Sequence, residues 1–451
     1  MNYRKVFFWA ITVSLGGFLF GLDTAVISGC ERTIQKLWSL SDAMTGQMVA
    51  AALYGTIIGA IFGGAPAQRM GRKPTLFWIA VLYLISAVGA ALSPDVWSLM
   101  LFRFIGGLSI GASSVVAPMY ITEIAPAEKR GQLTAMFQFN IVLGILIAYL
   151  SNWLIGTADE SAWRWMLGVV ALPSLLFVLL IALVPESPRW LIVAKGRVDE
   201  ARRTLQIINP ATAEAEIAAI QASHVPAASA AGGPAAGTGL REFFSGKYRV
   251  PILLAFLFAF FNQVSGINAV IYYAPRIFED AGMATNSALL SSVGIGVVNL
   301  VFTMLGLSLI DRMGRRFLMY IGSVGYIVSL SLVSWAFFSG AAAGSLLVPG
   351  LLFVFIAAHA IGQGAVIWVF ISEIFPNQVR SWGNSLGSST HWVFAALIAG
   401  NFPWFAGKFG QAPIFACFAA MMVFQLLFVW RMMPETKGVS LEDIEKQLVG
   451  K

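Results

Sequence analysis

The stretch at 68–74, QRMGRKP, decides the fold, because it returns in the second half of the chain as DRMGRRF at 311–317. Two further pairs keep nearly the same spacing: TEIAPAEKR (122–130) with SEIFPNQVR (372–380), and PES (185–187) with PET (434–436). The three offsets are 243, 250 and 249 residues. Pairs that recur in one register indicate a duplicated chain whose two halves run in the same direction.

The composition is that of a membrane protein with several spans. The 451 residues are 58% hydrophobic and 11% charged, with a mean hydropathy of +0.77, whereas soluble domains carry about 25% charged residues. Apolar runs of about 20 residues, each able to cross ~30 Å of hydrocarbon as a helix, recur twelve times. The predicted spans are 6–29, 44–67, 75–93, 96–121, 131–154, 164–184, 250–273, 287–310, 316–338, 347–372, 382–406 and 411–431.

These spans predict an all-α membrane protein with four regions. The first six form a bundle over 1–184 and the last six a bundle over 250–433. Between them, 185–249 reads as a cytoplasmic linker with short helices, which loosens into a mobile, Ala/Gly/Pro-rich segment at 225–239. The remaining residues, 434–451, form a polar cytoplasmic tail.

The basic residues indicate the orientation. With both termini in the cytoplasm, every Lys and Arg lies on the cytoplasmic side except Arg32, Lys36, Arg103, Arg164, Arg276 and Lys408. The positive-inside rule therefore predicts a multi-pass protein of the cell inner (plasma) membrane with N-in and C-in topology. The basic residues do not cluster on a soluble face, so we expect no nucleic-acid partner.

Several function classes are excluded by what the sequence lacks. Two cysteines and three scattered histidines give neither a disulfide framework nor metal-ligand spacing. No nucleophile–base constellation is present either. We therefore expect no enzyme, no metal site and no cofactor.

One acid stands inside the first span, in GFLFGLDTAVISG (17–29). A charge at bilayer depth costs ~2.5–3.5 kcal/mol on insertion scales. By the helical rise, Asp23 lies about 26 Å up span 1 and Arg103 about 10 Å down span 4, which is a similar depth in the outer part of the membrane. The pair predicts either a permanent structural ion pair or a proton site whose protonation follows the opening and closing of that contact.

The chain resembles the sugar porter family of the major facilitator superfamily over essentially its full length. The resemblance is carried by GLDTAVISG, PMYITEIAP, PESPRWL, NQVSGINAVIYYAP, DRMGRR, SEIFPNQVR and PETKG. It implies the major facilitator fold, a substrate site between the halves, and a monosaccharide substrate. The pattern is closest to that of bacterial xylose–proton symporters and glucose transporters, and Asp23 favours symport because facilitative relatives typically carry Asn at that position.

The resemblance also implies the substrate-binding residues. Amide side chains suit sugar hydroxyls because they both donate and accept, and aromatic rings cover the C–H faces. The candidates are Phe20, Asn262, Gln263, Asn268, Asn299, Trp368, His391 and Trp392, with Tyr272 and Tyr273 as a gate. Gln263 and Asn268 are roughly 140° apart around a helix, so the Ser265–Gly266 pair is expected to loosen span 7.

Five departures from the family pattern leave the particular sugar open. Asn262–Gln263 stands for a pair of glutamines, and His391 for Gln or Asn. Gly364–Ala365 replaces Gly-Pro, and Arg380–Ser381 replaces the usual Arg-Gly after SEIFPN. Ile145 and Tyr149 lie where relatives place a glutamine in span 5. His391 is either a substrate ligand, a second titrating group or a satisfied interior histidine.

Charged residues at the cytoplasmic helix ends form the last predicted set. The resemblance implies that they pair into a network that latches the halves in the outward-open state. Its members are Arg69, Arg72, Glu123, Arg130, Glu186, Arg189, Arg312, Arg315, Glu373, Arg380 and Glu435. The alternative is that they only set the topology.

The sequence thus predicts a monomeric proton-coupled symporter that imports a monosaccharide by alternating access. A facilitative sugar uniporter is the alternative, as is a symporter of a polyol or sugar acid. A sugar sensor is disfavoured by the short tail, and a drug or anion antiporter is left to a substrate panel.

Overall fold

The computed structural model describes residues 3–126, 129–156, 159–222, 243–376, 379–439 and 441–449. The segment 225–239, predicted to be mobile, lies outside the described residues. Within the described ranges the secondary structure is helical and contains no strand.

Twelve helical spans account for most of the described chain. Eleven are long and apolar enough to cross a membrane: Tyr3–Gly29, Asp42–Arg69, Arg72–Leu92, Val96–Ile124, Arg130–Ile155, Ala162–Ile181, Arg249–Asp280, Thr285–Met313, Arg315–Ser339, Leu347–Glu373 and Gln411–Arg431. The helix Arg380–Phe409 has 30 residues, and its polar run SSTH at 388–391 lowers its hydropathy. In chain order these are spans 1 to 12, with Arg380–Phe409 as span 11.

Five spans are irregular or interrupted. Span 1 ends in a 3-10 turn, Ile27–Gly29, and span 2 divides into Asp42–Phe62 and Gly64–Arg69. Span 6, predicted as one helix over 164–184, consists of Ala162–Gly168 and Ala171–Ile181. Span 7 divides into Arg249–Val264 and Ile267–Asp280, and so extends seven residues beyond its predicted end at 273. Span 10 contains a π-helical turn, Ala360–Gly364, between Leu347–His359 and Ala365–Glu373.

Short helices lie between and after the spans. They are Glu31–Leu37, Pro188–Lys195, Val198–Ile208, Ala213–Ala222 and Leu441–Val449. The helix Pro188–Lys195 follows from its sequence: the Ser187 side chain accepts from Trp190 N, Pro188 occupies the first turn, and Gly196 ends the helix at φ 65°. The predicted short helices of the linker are therefore present in its described part.

Small residues bring spans 2 and 4 into close contact. Gly55, Gly59 and Gly63 recur every four residues along one face of span 2. A Cβ at Gly55 or Gly59 would meet the backbone oxygen of Phe104 or Leu108 in span 4. Without a hydrophobic driving force between helices in lipid, such close backbone approach is a main source of association.

The chain packs as two compact units. The first contains Met1–Asp23, Gly55–Gly144 and Leu167–Ala235, and the second contains Thr24–Tyr54, Ile145–Met166 and Ala236–Lys451. Spans 1, 2, 5 and 6 contribute residues to both units. The second unit therefore joins parts of the first sequence half to the second sequence half.

Candidate functional site

The predicted acid–base pair lies inside the first unit. Asp23 is 7% exposed and Arg103 is 1% exposed. The carboxylate lies beside span 4 at Gly106, where a Cβ would be 3.8 Å from Asp23 Oδ1. Gly106 and Arg103 are one helical turn apart on the same face. The guanidinium is close enough to act on the carboxylate electrostatically.

The two groups do not form a direct ion pair. In the part of the chain that the structure describes, no nitrogen of Arg103 lies within 4.0 Å of the Asp23 carboxylate. Asp23 Oδ2 and the Nε and Nη2 atoms of Arg103 have no hydrogen-bond partner. A buried charge without a hydrogen bond is strongly unfavourable. This arrangement is therefore unlike a permanent structural ion pair.

Gln263 is the centre of a polar cluster in the second unit. Its Nε2 donates to Asn262 Oδ1 at 2.7 Å and lies 3.1 Å from His391 Nδ1, and its Oε1 accepts from Asn268 Nδ2 at 2.6 Å. Asn262 and Gln263 are buried, and Asn268 is half-buried. Four of the predicted polar residues are thus in contact through one amide.

The break in span 7 makes this cluster possible. Gly266 has φ 83°, in the left-handed region that favours glycine. The Ser265 hydroxyl donates to the Asn262 carbonyl at 2.6 Å, and the Ile267 N–H donates to Ser265 Oγ. The expectation that Ser265–Gly266 loosens the helix is confirmed. The break turns Asn268 toward Gln263, which an unbroken helix would not do.

Two tryptophans surround the histidine of this cluster. The His391 ring centroid lies 5.1 Å from that of Trp368 and 4.7 Å from that of Trp392. Trp392 is buried, whereas Trp368 is 42% exposed and follows the π-helical turn of span 10. Aromatic faces beside amide groups are suited to a ligand with hydroxyls and apolar C–H faces.

The structure also describes two further predicted ligands. Asn299, in span 8, is buried and accepts from Thr303 Oγ1 at 3.3 Å. Phe20 is half-buried in span 1 and belongs to the first unit.

The two predicted gate tyrosines are buried in the second half of span 7. Tyr273 donates to the Ala399 carbonyl at 2.7 Å and stacks on Phe402. Tyr272 precedes a kink at Tyr273, whose φ of −129° is not helical. Two residues before the kink, the Ile271 carbonyl accepts a hydrogen bond from Tyr149 of span 5.

The predicted charge network contains two matching clusters. In the first unit, Arg72 pairs with Glu123 at 2.8 Å, and Glu186 accepts from the Arg72 and Lys73 N–H groups. The Ser187 hydroxyl also donates to Glu123. In the second unit, Arg315 pairs with Glu373 at 2.8 Å, while Glu435 accepts from the Arg315 and Arg316 N–H groups and Thr436 donates to Glu373.

The Gly of each repeated motif allows its Glu to approach. Gly71 has φ 109° and Gly314 has φ 89°. A Cβ at either residue would run into the carboxylate of Glu186 or Glu435. Burial raises the pKa of Glu186, and the backbone N–H groups that it accepts work in the opposite direction.

The other five arginines of the predicted network lie outside these two clusters. Arg380 donates to the Phe375 carbonyl at 3.3 Å, and its Nη2 has no partner. The remaining four are exposed: Arg69, Arg130, Arg189 and Arg312.

Sequence analysis missed a buried ion pair in the second unit. Arg276 forms two hydrogen bonds with the Glu31 carboxylate, at 2.7 and 2.6 Å, and also contacts Gln35. Beside it, Arg32 pairs with Glu279 and Asp280. We call these six residues the Arg276 cluster. In the sequence, each charge lies at the end of a span and is therefore interpreted as an interfacial anchor. The only weak indication of the cluster was that Glu31 and Arg32 are adjacent.

Known proteins are similar to this chain over nearly its whole length. The family model described as "Sugar (and other) transporter" matches residues 9–448. The chain belongs to this family. Members of this family are transport proteins and not enzymes. The expectation that the chain is not an enzyme is therefore confirmed.

Individual relatives are similar to this chain over nearly its whole length. The D-xylose transporter of Levilactobacillus brevis is 37% identical over 443 residues, which cover 97% of this chain and 94% of the relative. The inward-open structure of the xylose transporter XylE from E. coli superposes with a TM-score of 0.85 at 32% identity, covering 98% of this chain and 100% of that one.

A further structure, of the proton:xylose symporter XylE bound to 6-bromo-6-deoxy-D-glucose, gives a TM-score of 0.77 at 32% identity, with 99% and 100% coverage. The predicted major facilitator fold with twelve transmembrane helices is confirmed, and the chain is a multi-pass membrane protein.

The Arg276 cluster gives the first prediction. Arg276→Met leaves the buried Glu31 without its counter-charge, and breaking a buried pair in this way costs about 3–5 kcal/mol. We expect a clearly lower thermal unfolding midpoint in detergent. The matched control is Arg32→Met, which removes pairs that are about one-third exposed and is expected to have little effect.

The pH dependence of this variant follows from Glu31. Burial raises the pKa of Glu31, and Arg276 opposes this shift. Without Arg276, protonation relieves the unpaired charge, so the deficit relative to the wild type should shrink as the pH falls from about 8 to about 5. Equal midpoints for Arg276→Met and Arg32→Met would contradict the assignment.

Proposed function

We propose that the chain is a proton-coupled sugar symporter that imports a monosaccharide by alternating access, with Asp23 as the proton site modulated by Arg103. The observation that carries the proposal is that Asp23 and Arg103 are both buried but form no direct ion pair, and that Asp23 Oδ2 has no hydrogen-bond partner. Relatives named as xylose transporters and a proton:xylose symporter support both parts of the proposal.

The chemistry of the pair supports a proton-linked switch. An aspartate in contact with an arginine is stable as the anion, whereas an isolated buried carboxyl is stable only when neutral. The observed separation of Asp23 from Arg103 is therefore the arrangement expected when Asp23 is protonated. Deprotonation would draw Arg103 to the carboxylate, so that proton release is coupled to a movement of span 4 against span 1.

The cluster around Gln263 is the proposed sugar site. Asn262, Gln263, Asn268 and His391 offer donors and acceptors within one contact network, and Trp368 and Trp392 offer aromatic faces. A monosaccharide would replace some of these amide–amide bonds with bonds to its hydroxyls. Phe20 and Asn299 remain proposed ligands, and Tyr272 and Tyr273 a proposed gate.

Contacts within the second unit support alternating access. The segment 24–54 reaches residues 276–280 through the Arg276 cluster, and Tyr149 reaches the Ile271 carbonyl. We propose that these contacts close the non-cytoplasmic side and are released when that side opens. On the cytoplasmic side we propose that the clusters of Arg72 and Arg315, with Arg69, Arg130, Arg189, Arg312 and Arg380, stabilise the outward-open state.

The proposed setting is the inner (plasma) membrane, with both termini cytoplasmic and the chain acting as a monomer. We further propose that the bundles at 1–184 and 250–433 are the moving halves, joined by the linker 185–249 and followed by the tail 434–451. The positive-inside distribution of Lys and Arg supports this orientation.

The second prediction tests the proton site. Asp23→Asn is expected to abolish sugar accumulation against a gradient while counterflow exchange remains measurable, because the neutral amide mimics the protonated acid but cannot release a proton. Uptake is measured in proteoliposomes with an imposed pH gradient. The control Asp159→Asn removes an exposed carboxylate and should accumulate sugar normally.

Two outcomes would contradict symport. One is an Asp23→Asn variant that still concentrates sugar. The other is wild-type sugar flux without proton uptake when sugar is added to pH-poised vesicles, which would identify a facilitative uniporter. A panel of pentoses, hexoses, polyols and sugar acids identifies the substrate.

The third prediction tests the sugar site. Gln263→Ala removes the central amide, and Trp392→Ala removes a buried aromatic face. Each is expected to weaken sugar binding by about tenfold or more, since each removes roughly 1–3 kcal/mol of contacts. Binding is measured by calorimetry on detergent-solubilised protein. Gln206→Ala and Trp335→Ala are exposed controls, and unchanged affinity in both test variants would move the site elsewhere.

A further inference from the structure

A buried tyrosine of span 9 holds the residue that precedes the π-helical turn of span 10. Tyr326 is fully buried. Its hydroxyl lies 2.6 Å from His359 Nδ1, and the centroids of the two rings are 6.0 Å apart. His359 immediately precedes the π-helical turn Ala360–Gly364. Span 9 also lies close against this turn, because a Cβ at Gly322 would be 3.0 Å from Gly362 Cα.

The π-helical turn adjoins residues of the proposed sugar site. It folds tightly around His359, since a Cβ at Gly364 would lie 3.1 Å from the His359 carbonyl and 3.3 Å from its ring. Trp368 follows this turn by four residues. His359 is also close enough to His391 for an electrostatic interaction.

We propose that Tyr326, with His359, is a positioning residue for sugar binding, which holds the π-helical turn of span 10, and with it Trp368, against span 9. The proposal rests on the proposed sugar transport. It does not require that Tyr326 touches the sugar. Loss of the hydroxyl would let the turn, and the half-helix that carries Trp368, move relative to the Gln263 cluster.

The test removes one oxygen atom. Tyr326→Phe keeps the ring and its packing against Phe355. We expect KM for sugar in counterflow exchange to rise about 5- to 20-fold, with the maximal rate within about twofold of wild type, as for loss of one buried hydrogen-bond partner. Tyr320→Phe, on the same span, is the matched control and should leave KM unchanged.

A second variant pair separates positioning from general stability. His359→Asn retains an amide that can donate to or accept from the Tyr326 hydroxyl, and we expect its KM to stay within about threefold of wild type. His359→Leu removes the hydrogen-bonding group, and its KM should match that of Tyr326→Phe. The thermal unfolding midpoint is measured for every variant, because a purely structural role would lower the midpoint and leave KM unchanged.

The outcomes are distinguishable. If wild-type protein exchanges sugar and folded Tyr326→Phe has wild-type KM, the positioning role is wrong and the proposed function stands. Equal KM values for His359→Asn and His359→Leu would also overturn it. If the wild type exchanges no sugar in the substrate panel, the proposed function itself is wrong, and the positioning role is wrong with it.

Discussion

Inside a bilayer, backbone N–H and C=O groups must be hydrogen-bonded within the protein, so a helix can be interrupted only where side chains or water replace the lost bonds. Spans 7 and 10 each meet this condition. At the break in span 7, Ser265 Oγ accepts from the Ile267 N–H. The π-helical turn of span 10 is bordered by His359, whose ring is held by Tyr326. Irregular backbone and polar side chains therefore depend on each other here. The break of span 7 orients the amides of Gln263 and Asn268, and polar side chains stabilise the irregular backbone of both spans.

The sequence predicted the features that arise from local pattern. Hydropathy located the twelve spans, and the angle between Gln263 and Asn268 located the break at Ser265–Gly266. Contacts between distant residues were beyond such reasoning. Glu31 and Arg276 are 245 residues apart, and each reads as an ordinary charge at a span end. Tyr326 lies in an apolar helix, where a tyrosine is more often a packing residue, and only the fold brings His359 to its hydroxyl.

Duplication explains why part of the molecule was predictable in detail. Arg72 and Arg315 make the same set of bonds, each to the Glu of a later motif and to a backbone carbonyl five residues earlier in the chain. Closely similar short motifs therefore fold into closely similar local structures in the two units. The halves differ where function is proposed. DTAVIS at 23–28 corresponds to INAVIY at 267–272, an offset of 244 residues within the range of the repeats, so Asp23 matches Ile267 and Thr24 matches Asn268.

Under the proposed function, this divergence separates the proton site from substrate recognition. One copy of the segment carries an ionisable group, and the other carries a neutral amide beside a helix break. The two buried acid–base pairs differ in their contacts. Glu31 and Arg276 are joined by two hydrogen bonds, which hold both charges in place. Asp23 and Arg103 are equally buried but are not joined, so protonation of Asp23 would change whether the carboxyl group needs the arginine as a counter-charge. We therefore propose that, of the two pairs, Asp23–Arg103 is the one that a transport cycle shifts with a proton gradient.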